Sequence, residues 1–211
     1  MPILKFQQVN KNISWALWEI TESLEELLQK VTLQGEDKEL LNTITHEKKK
    51  KEWLASRLTI RFLVEQLGEE FKGIEKDEFN KPHLKESSYH ISISHAYPLA
   101  VAILNKCDPT GIDIETPSDK LKKIAGKFLS KDELQFAGSD TTVLSICWSA
   151  KEALYKIFGR KRLIFKQNLE VLPFELNNGM RIEGKIKVNG KTDHYLLQYE
   201  SFNDKYIVYS I

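Results

Sequence analysis

Three short stretches hold side chains whose types and spacing could do chemistry. In "GIDIE" (111–115), Asp113 and Glu115 stand two residues apart in an apolar run. Strand side chains alternate faces, so the two carboxylates crowd one side while Ile112 and Ile114 face the core. Such a pair is tolerable when water screens it, when one member holds a proton, or when a cation sits between them. A wet edge strand meets the first condition, and the strand alone leaves all three readings open.

The second stretch is "WSAKEALYK" (148–156). On a helix Glu152 and Lys156 are i and i+4 and share a face, whereas Lys151 is rotated well away. Taken alone, such a pair is a surface ion pair worth about a few tenths of a kcal/mol. If the helix packs over the strand, Glu152 becomes a third carboxylate beside Asp113 and Glu115. Three hard oxygen ligands without imidazole or thiolate suit Mg²⁺ or Mn²⁺. Lys156, one turn beyond, would then reach a phosphate oxygen as a point charge.

The third stretch, "SISHA" (92–96), offers Ser94 and His95. Neighbours on a strand face opposite ways, so they cannot form a nucleophile–base pair, and a serine hydrolase is set aside. His46 and Glu47 lack a second histidine four residues after the first, which excludes the zinc-protease pattern, and no G-x-x-x-x-G-K loop occurs.

The elements that must position these residues follow from periodicity. Residues 13–20 read as a strand and 22–31 as a short amphipathic helix. A strong helical signal runs from about Thr45 to Leu67 and stops at Gly68, with Trp53, Leu54, Leu58, Ile60, Leu63, Val64 and Leu67 as its apolar stripe. Its lysine-dense start reads as a solvated face. "FNKPHL" is a turn leading into strands at 89–94 and 99–104, with "HAYP" as the bend between them. After the strand 111–115 come one or two short helices over 118–138 and a longer one over 142–158 closed by Gly159. The tail alternates like strands at 169–174, 180–188, 194–201 and 205–211. This order predicts an α+β chain of two pseudo-symmetric lobes, 1–108 and 109–211, each a small antiparallel sheet packed with helices.

Composition narrows the partners. Lys plus Arg number 31 against 30 for Asp plus Glu, a formal charge of +1, which gives no overall drive toward nucleic acid or an anionic membrane. Cys107 and Cys147 fall short of a disulfide framework or thiolate metal site, so a reduced, cytoplasmic protein is expected. The opening residues lack a basic region followed by a sustained apolar one, and no run reaches the length of a membrane span.

Taken together, "GIDIE" and the Glu of "WSAKEALYK" are similar to the signature of the 4′-phosphopantetheinyl transferases, in particular the two-lobed surfactin-synthetase-activating type. The likeness extends through "NKP" (80–82), "YHISISHA" (89–96), "GKFLSKDE" (126–133) and "SRLTIR" (56–61), covering about residues 45–165. It implies transfer of the phosphopantetheine arm of coenzyme A to a serine of an apo carrier protein, releasing adenosine 3′,5′-bisphosphate, in a cleft between the lobes of a monomer. It further implies that Asp113, Glu115 and Glu152 hold Mg²⁺ against the coenzyme A pyrophosphate and that Lys156 contacts the same phosphates. Lys81, Ser94 and His95 would bind the nucleotide end and its 3′-phosphate, with Arg57 a weaker candidate. Asn80 stands where the family often has glycine and Ala96 where a second serine often follows; the family's N-terminal basic residues have no assigned counterpart, and Lys48 to Lys51 are the candidates to replace them.

Breaking a pyrophosphate needs in-line positioning and neutralisation of charge on the leaving phosphate, which a metal and Lys156 would supply. Glu152, or a water it orients, would take the proton of the incoming serine. An acidic carrier calls for a basic docking surface, and Lys122, Lys123, Lys127, Lys131, Arg160, Lys161, Arg162 and Lys166 lie close in sequence to the metal ligands. Two other classes share parts of this pattern: a phosphate-ester hydrolase or nucleotidyl transferase using the same carboxylates, and a non-catalytic module that binds coenzyme A or carriers.

Overall fold

Each of the two sheets of this chain is covered by one long helix, and the sequence cues for those helices are local. The computed structural model describes residues 2–33, 35–160, 163–177 and 179–211. The chain divides into two units: Met1–Glu75 with His83–Cys107, and Lys76–Pro82 with Asp108–Ile211. The fold is α+β, built of two sheet-and-helix regions.

In the first unit, strands β1 (Ile3–Gln8), β2 (Ile13–Glu19), β3 (Ile74–Lys76), β4 (Pro82–Leu84), β5 (His90–Ala96) and β6 (Leu99–Asn105) form a sheet of order β1-β2-β6-β5-β4-β3. The pairs β1–β2, β2–β6, β6–β5 and β5–β4 are antiparallel. Helices α1 (Leu24–Lys30), α2 (Glu36–Thr43) and α3 (Glu47–Gln66) accompany it. Ser23 and Glu26 form a reciprocal capping box at the start of α1. Ile60, Leu63 and Val64 of α3 pack with Ala16, Ile91, Ala102 and Leu104 of the sheet.

In the second unit, β7 (Ile112–Glu115), β8 (Leu169–Val171), β9 (Arg181–Val188), β10 (Lys191–Phe202) and β11 (Lys205–Ser210) form an antiparallel sheet of order β7-β11-β10-β9-β8. The helices are α4 (Asp119–Phe128), α5 (Lys131–Ala137), α6 (Thr141–Phe158) and the single turn α7 (Phe165–Asn168). Ser118, Ser130 and Asp140 each accept a backbone N–H at a helix start, and Gly159 ends α6 in the left-handed conformation. Leu144, Cys147, Ala150 and Leu154 of α6 pack on Ile182, Ile186, Leu197 and Val208 of the sheet.

Several elements differ from the sequence expectation. β1, α2, β3, β4 and α7 have no counterpart in it, because each is short or carries little apolar periodicity. The strand before "HAYP" continues through His95 and Ala96, and the turn falls at Tyr97–Pro98, whose peptide is cis. The strand from Leu169 ends at Val171, before Pro173. Asn80 sits at φ +66°, a left-handed backbone that asparagine tolerates almost as glycine does, so the departure from glycine keeps the turn.

Candidate active site

The register of β7 decides what faces what. Asp113 pairs with Val208 and Glu115 with Tyr206, whereas Ile112 and Ile114 pair with Tyr209 and Ile207. Val208 packs in the core under α6, so the carboxylates share the helix-covered face. β7 is an edge strand, as a wet acidic face would require, but the face is not wet: Asp113 is only 3% exposed. Ile112 and Ile114 are buried, as expected, on the other face of the strand.

Helix α6 answers the acidic pair from one stripe. Ser149, Glu152 and Lys156 lie at i, i+3 and i+7, with Trp148 one turn before Glu152. Ser149 Oγ donates to Asp113 Oδ2 at 2.7 Å, and Lys156 Nζ donates to Asp113 Oδ1 at 2.7 Å and to the Ile112 carbonyl at 2.9 Å. Trp148 Nε1–H donates to Glu115 Oε1 at 3.0 Å. Lys156 is therefore not a solvent-side partner for Glu152 but a bridge from helix to strand.

Charge is crowded here. Burial, then the neighbouring Asp113 charge, pushes the Glu115 carboxyl up to about 7, with a smaller contribution from Glu152. Burial, then Asp113, likewise pushes Glu152 up to about 7, against the pull of Lys156. Three carboxylates thus feel one another across the β7–α6 contact, with the Lys156 ammonium bonded to Asp113 and lowering the proton affinity of the other two through its charge.

Among the described residues, however, no three His, Cys, Asp or Glu side chains are gathered at the spacing that holds a metal ion. Asp113 spends its two oxygens on Ser149 and Lys156, and Glu115 accepts from Trp148. The chemistry of the donor set still fits a hard divalent cation: all donors are carboxylate oxygens, and two of them carry raised proton affinities that a cation would relieve.

Beside Glu152 opens a concavity of about 660 Å³ lined by Ile124, Lys127, Phe128, Trp148, Glu152, Tyr155 and Phe165. Its aromatic wall is continuous: Trp148 meets Phe128 edge-on at 4.9 Å and Phe165 at 5.5 Å, and Phe165 meets Tyr155 at 5.4 Å.

The remaining sequence candidates have other surroundings. Lys81 Nζ donates to the Ile157 carbonyl at 3.1 Å, so it complements the negative C-terminal end of α6, and burial lowers its pKa. In the first unit, Ser94 and His95 lie on β5, with His95 Nδ1 3.5 Å from Glu52 Oε2. Lys49 pairs with the same Glu52 at 2.7 Å, and Lys48 stands 4.7 Å over the Tyr97 ring, which makes a basic corner around His95. Arg57 is buried, bonded to Asp37 at 2.8 Å and stacked 3.2 Å from the Trp53 ring, an anchor between α2 and α3. It also lines a polar concavity of about 630 Å³ whose cations Arg61 and Lys72 are paired with Glu65 and Glu86. Lys122, Lys123, Lys127, Lys131, Arg160 and Lys166 are exposed, and Lys161 and Arg162 lie outside the described residues.

Sequence reasoning missed Trp148, Ser149 and the place of Lys151. The first two were within reach, since both fall on the stripe of Glu152. Lys151 does point away as expected, but into the protein, where it is fully buried.

An edge strand with an acidic pair, locked by serine and lysine to the helix that carries a third carboxylate, is the candidate site of the second unit. Residues 109–209, which lie within the second unit, match the family model described as the 4′-phosphopantetheinyl transferase superfamily. No curated protein matches the chain.

Proposed function

We propose that this protein moves the 4′-phosphopantetheine arm of coenzyme A onto a serine of an apo carrier protein, releasing adenosine 3′,5′-bisphosphate, in the manner of the two-lobed surfactin-synthetase-activating transferases. The observation that carries the reading is the coupling of Asp113, Glu115 and Glu152 beside Lys156, inside the region that matches the superfamily.

In this reading Asp113, Glu115 and Glu152 would hold Mg²⁺, or Mn²⁺, and the bound ion would neutralise charge developing on the pyrophosphate. Ser149 and Lys156 fix the Asp113 carboxylate, and the Lys156 ammonium adds a positive charge for the leaving phosphate. Glu152, or a water it orients, takes the proton from the serine hydroxyl as the serine oxygen attacks the phosphorus bearing the pantetheine arm. The nucleotide end and its 3′-phosphate fall to Lys81, Ser94 and His95, with Lys48 to Lys51 as basic neighbours. Arg57 is the weakest of these, because Asp37 already holds it. The protein acts as a cytoplasmic monomer on an acidic carrier.

Incubation with coenzyme A, Mg²⁺ and a panel of apo carriers, read by intact mass, tests the reading: one carrier should gain a single phosphopantetheine arm. Glu152→Gln should lose loading by about 10²-fold or more while melting like wild type. Near-normal turnover in that variant removes Glu152 from the mechanism, and nucleotide turnover without a carrier points to a hydrolase instead.

A further inference from the structure

We propose that Lys151 is a positioning residue: its buried ammonium, paired with Glu133, fixes the aromatic wall that holds Trp148 against Glu115. The inference rests on the transferase reading only for its activity measurement.

Lys151 is 0% exposed and Glu133 4%. Lys151 Nζ donates to Glu133 Oε2 at 2.7 Å and to the carbonyls of Phe128 and Leu169 at 2.8 Å each, with the Phe165 carbonyl at 3.3 Å. Phe128 is the last residue of α4, where carbonyls lack an acceptor role within their own helix. Glu133 completes the cluster: Oε2 accepts the Ser130 N–H at 2.7 Å and Oε1 the Val171 N–H at 2.8 Å. One ion pair therefore joins the end of α4, the start of α5, the middle of α6, the start of α7 and β8.

Cohesion alone does not call for such a pair, since apolar side chains of equal volume hold a core as well or better. What an ammonium adds is direction, because its three N–H bonds fix where particular carbonyls lie. Of the three carbonyls it meets, Leu169 ties down β8, while Phe128 at 2.8 Å and Phe165 at the longer 3.3 Å are the residues whose rings bracket Trp148 at 4.9 and 5.5 Å. The indole held between them is the one that donates to Glu115. A line of contacts thus runs from Lys151 through two backbone anchors and two rings to a carboxylate of the candidate site. The same rings wall the concavity beside Glu152, so the pair also sets the shape of the surface next to the reacting groups.

The test compares full-length wild type, Lys151→Met, and the double variant Lys151→Met/Glu133→Gln. The single variant leaves a charged Glu133 buried and should melt far below wild type. The double variant removes both charges and should regain most of that loss. Its Trp148 indole N–H resonance, assigned by its disappearance in Trp148→Phe, should nevertheless shift and exchange faster with solvent. Its KM for the apo carrier should rise about tenfold, a larger change than in kcat. A double variant with a wild-type indole resonance and wild-type KM overturns the proposal, and so does one that stays as unstable as the single variant, since the pair is then a structural staple. Loading that fails in wild type with every carrier sinks the transferase reading instead, while the indole measurement, made without substrate, still decides the role of Lys151.

Discussion

At Asp113 a carboxylate nearly removed from water is stabilised by one ammonium and one hydroxyl, and burial, together with the Asp113 charge, raises the proton affinity of its two acidic neighbours. Glu115 and Glu152 are pushed from an ordinary value near 4.5 up to about 7, so between those pH values the folded chain binds more protons than the unfolded one. Stability from these two groups is therefore present at the acid end and is lost as pH rises through about 7. A divalent cation competes with those protons and should reverse the trend. Thermal melts of the metal-free protein should thus show a fall from pH 5.5 to 8 that Glu152→Gln flattens. Added Mg²⁺ should raise the melting temperature more at pH 8 than at pH 6. A Mg²⁺ effect that is largest at pH 6 means the ion does not meet these carboxylates. Lys151 behaves differently, because without the ammonium the buried Glu133 keeps the Ser130 and Val171 N–H groups but loses its cation. Lys151→Met should cost about 3–5 kcal/mol in urea unfolding, against less than about 1 kcal/mol for an exposed pair such as Lys122–Asp119.

The contact between β7 and α6 depends on one missing side chain. A Cβ built at Gly111 would lie 2.1 Å from the Ala153 carbonyl oxygen and 2.8 Å from its carbon, so strand and helix backbones approach as only glycine allows. Gly111→Ala must push α6 outward by on the order of 1 Å, and it acts on the residue next to Glu152. Overpacking of this kind costs roughly 1–3 kcal/mol, and the displaced helix loosens Ser149 and Lys156 from Asp113. Loading should be lost in Gly111→Ala even at temperatures where the variant is fully folded by circular dichroism. Gly126, in the exposed part of α4 with nothing within 4 Å of its added Cβ, is the contrast: Gly126→Ala should gain roughly 0.5–1 kcal/mol. The sequence carried the parts of this arrangement that are local. The two long helices were legible from apolar periodicity and their glycine stops, and Asp113 with Glu115 from alternation on a strand. What it could not carry was register and depth. That the carboxylates of an edge strand lie under a helix follows from Asp113 pairing with Val208, a contact between residues 95 apart. α2 and β1 were invisible because their apolar residues are few or half exposed, and the Lys151 cage because it joins the Glu133 side chain to backbone carbonyls from three separate segments.

Over the whole chain, acids and bases almost cancel, and the net charge of +1 gives a partner no general attraction. The distribution is less even. Lys122, Lys123 and Lys127 project from α4, Lys131 opens α5, and Arg160 and Lys166 flank the end of α6 and α7, all exposed. Lys127 also lines the concavity beside Glu152, and Lys166 Nζ donates to the Gly126 carbonyl of α4 at 3.0 Å, so this charge lies around the candidate site rather than being spread over the second unit. An acidic carrier approaching the site would meet a local field that the net charge hides. Long-range attraction between exposed charges is screened over about 8–10 Å at physiological ionic strength, so it acts on encounter more than on the docked complex. Loading at subsaturating carrier should therefore slow several-fold between about 50 and 300 mM NaCl, with kcat at saturating carrier little changed. Lys123→Glu with Lys127→Glu should raise the KM for an acidic carrier and flatten that salt dependence, because the charges that salt screens are already gone. A salt dependence as steep in the double variant as in wild type would mean that the carrier is guided by some other surface, and the basic face of α4 would then be solvated charge only.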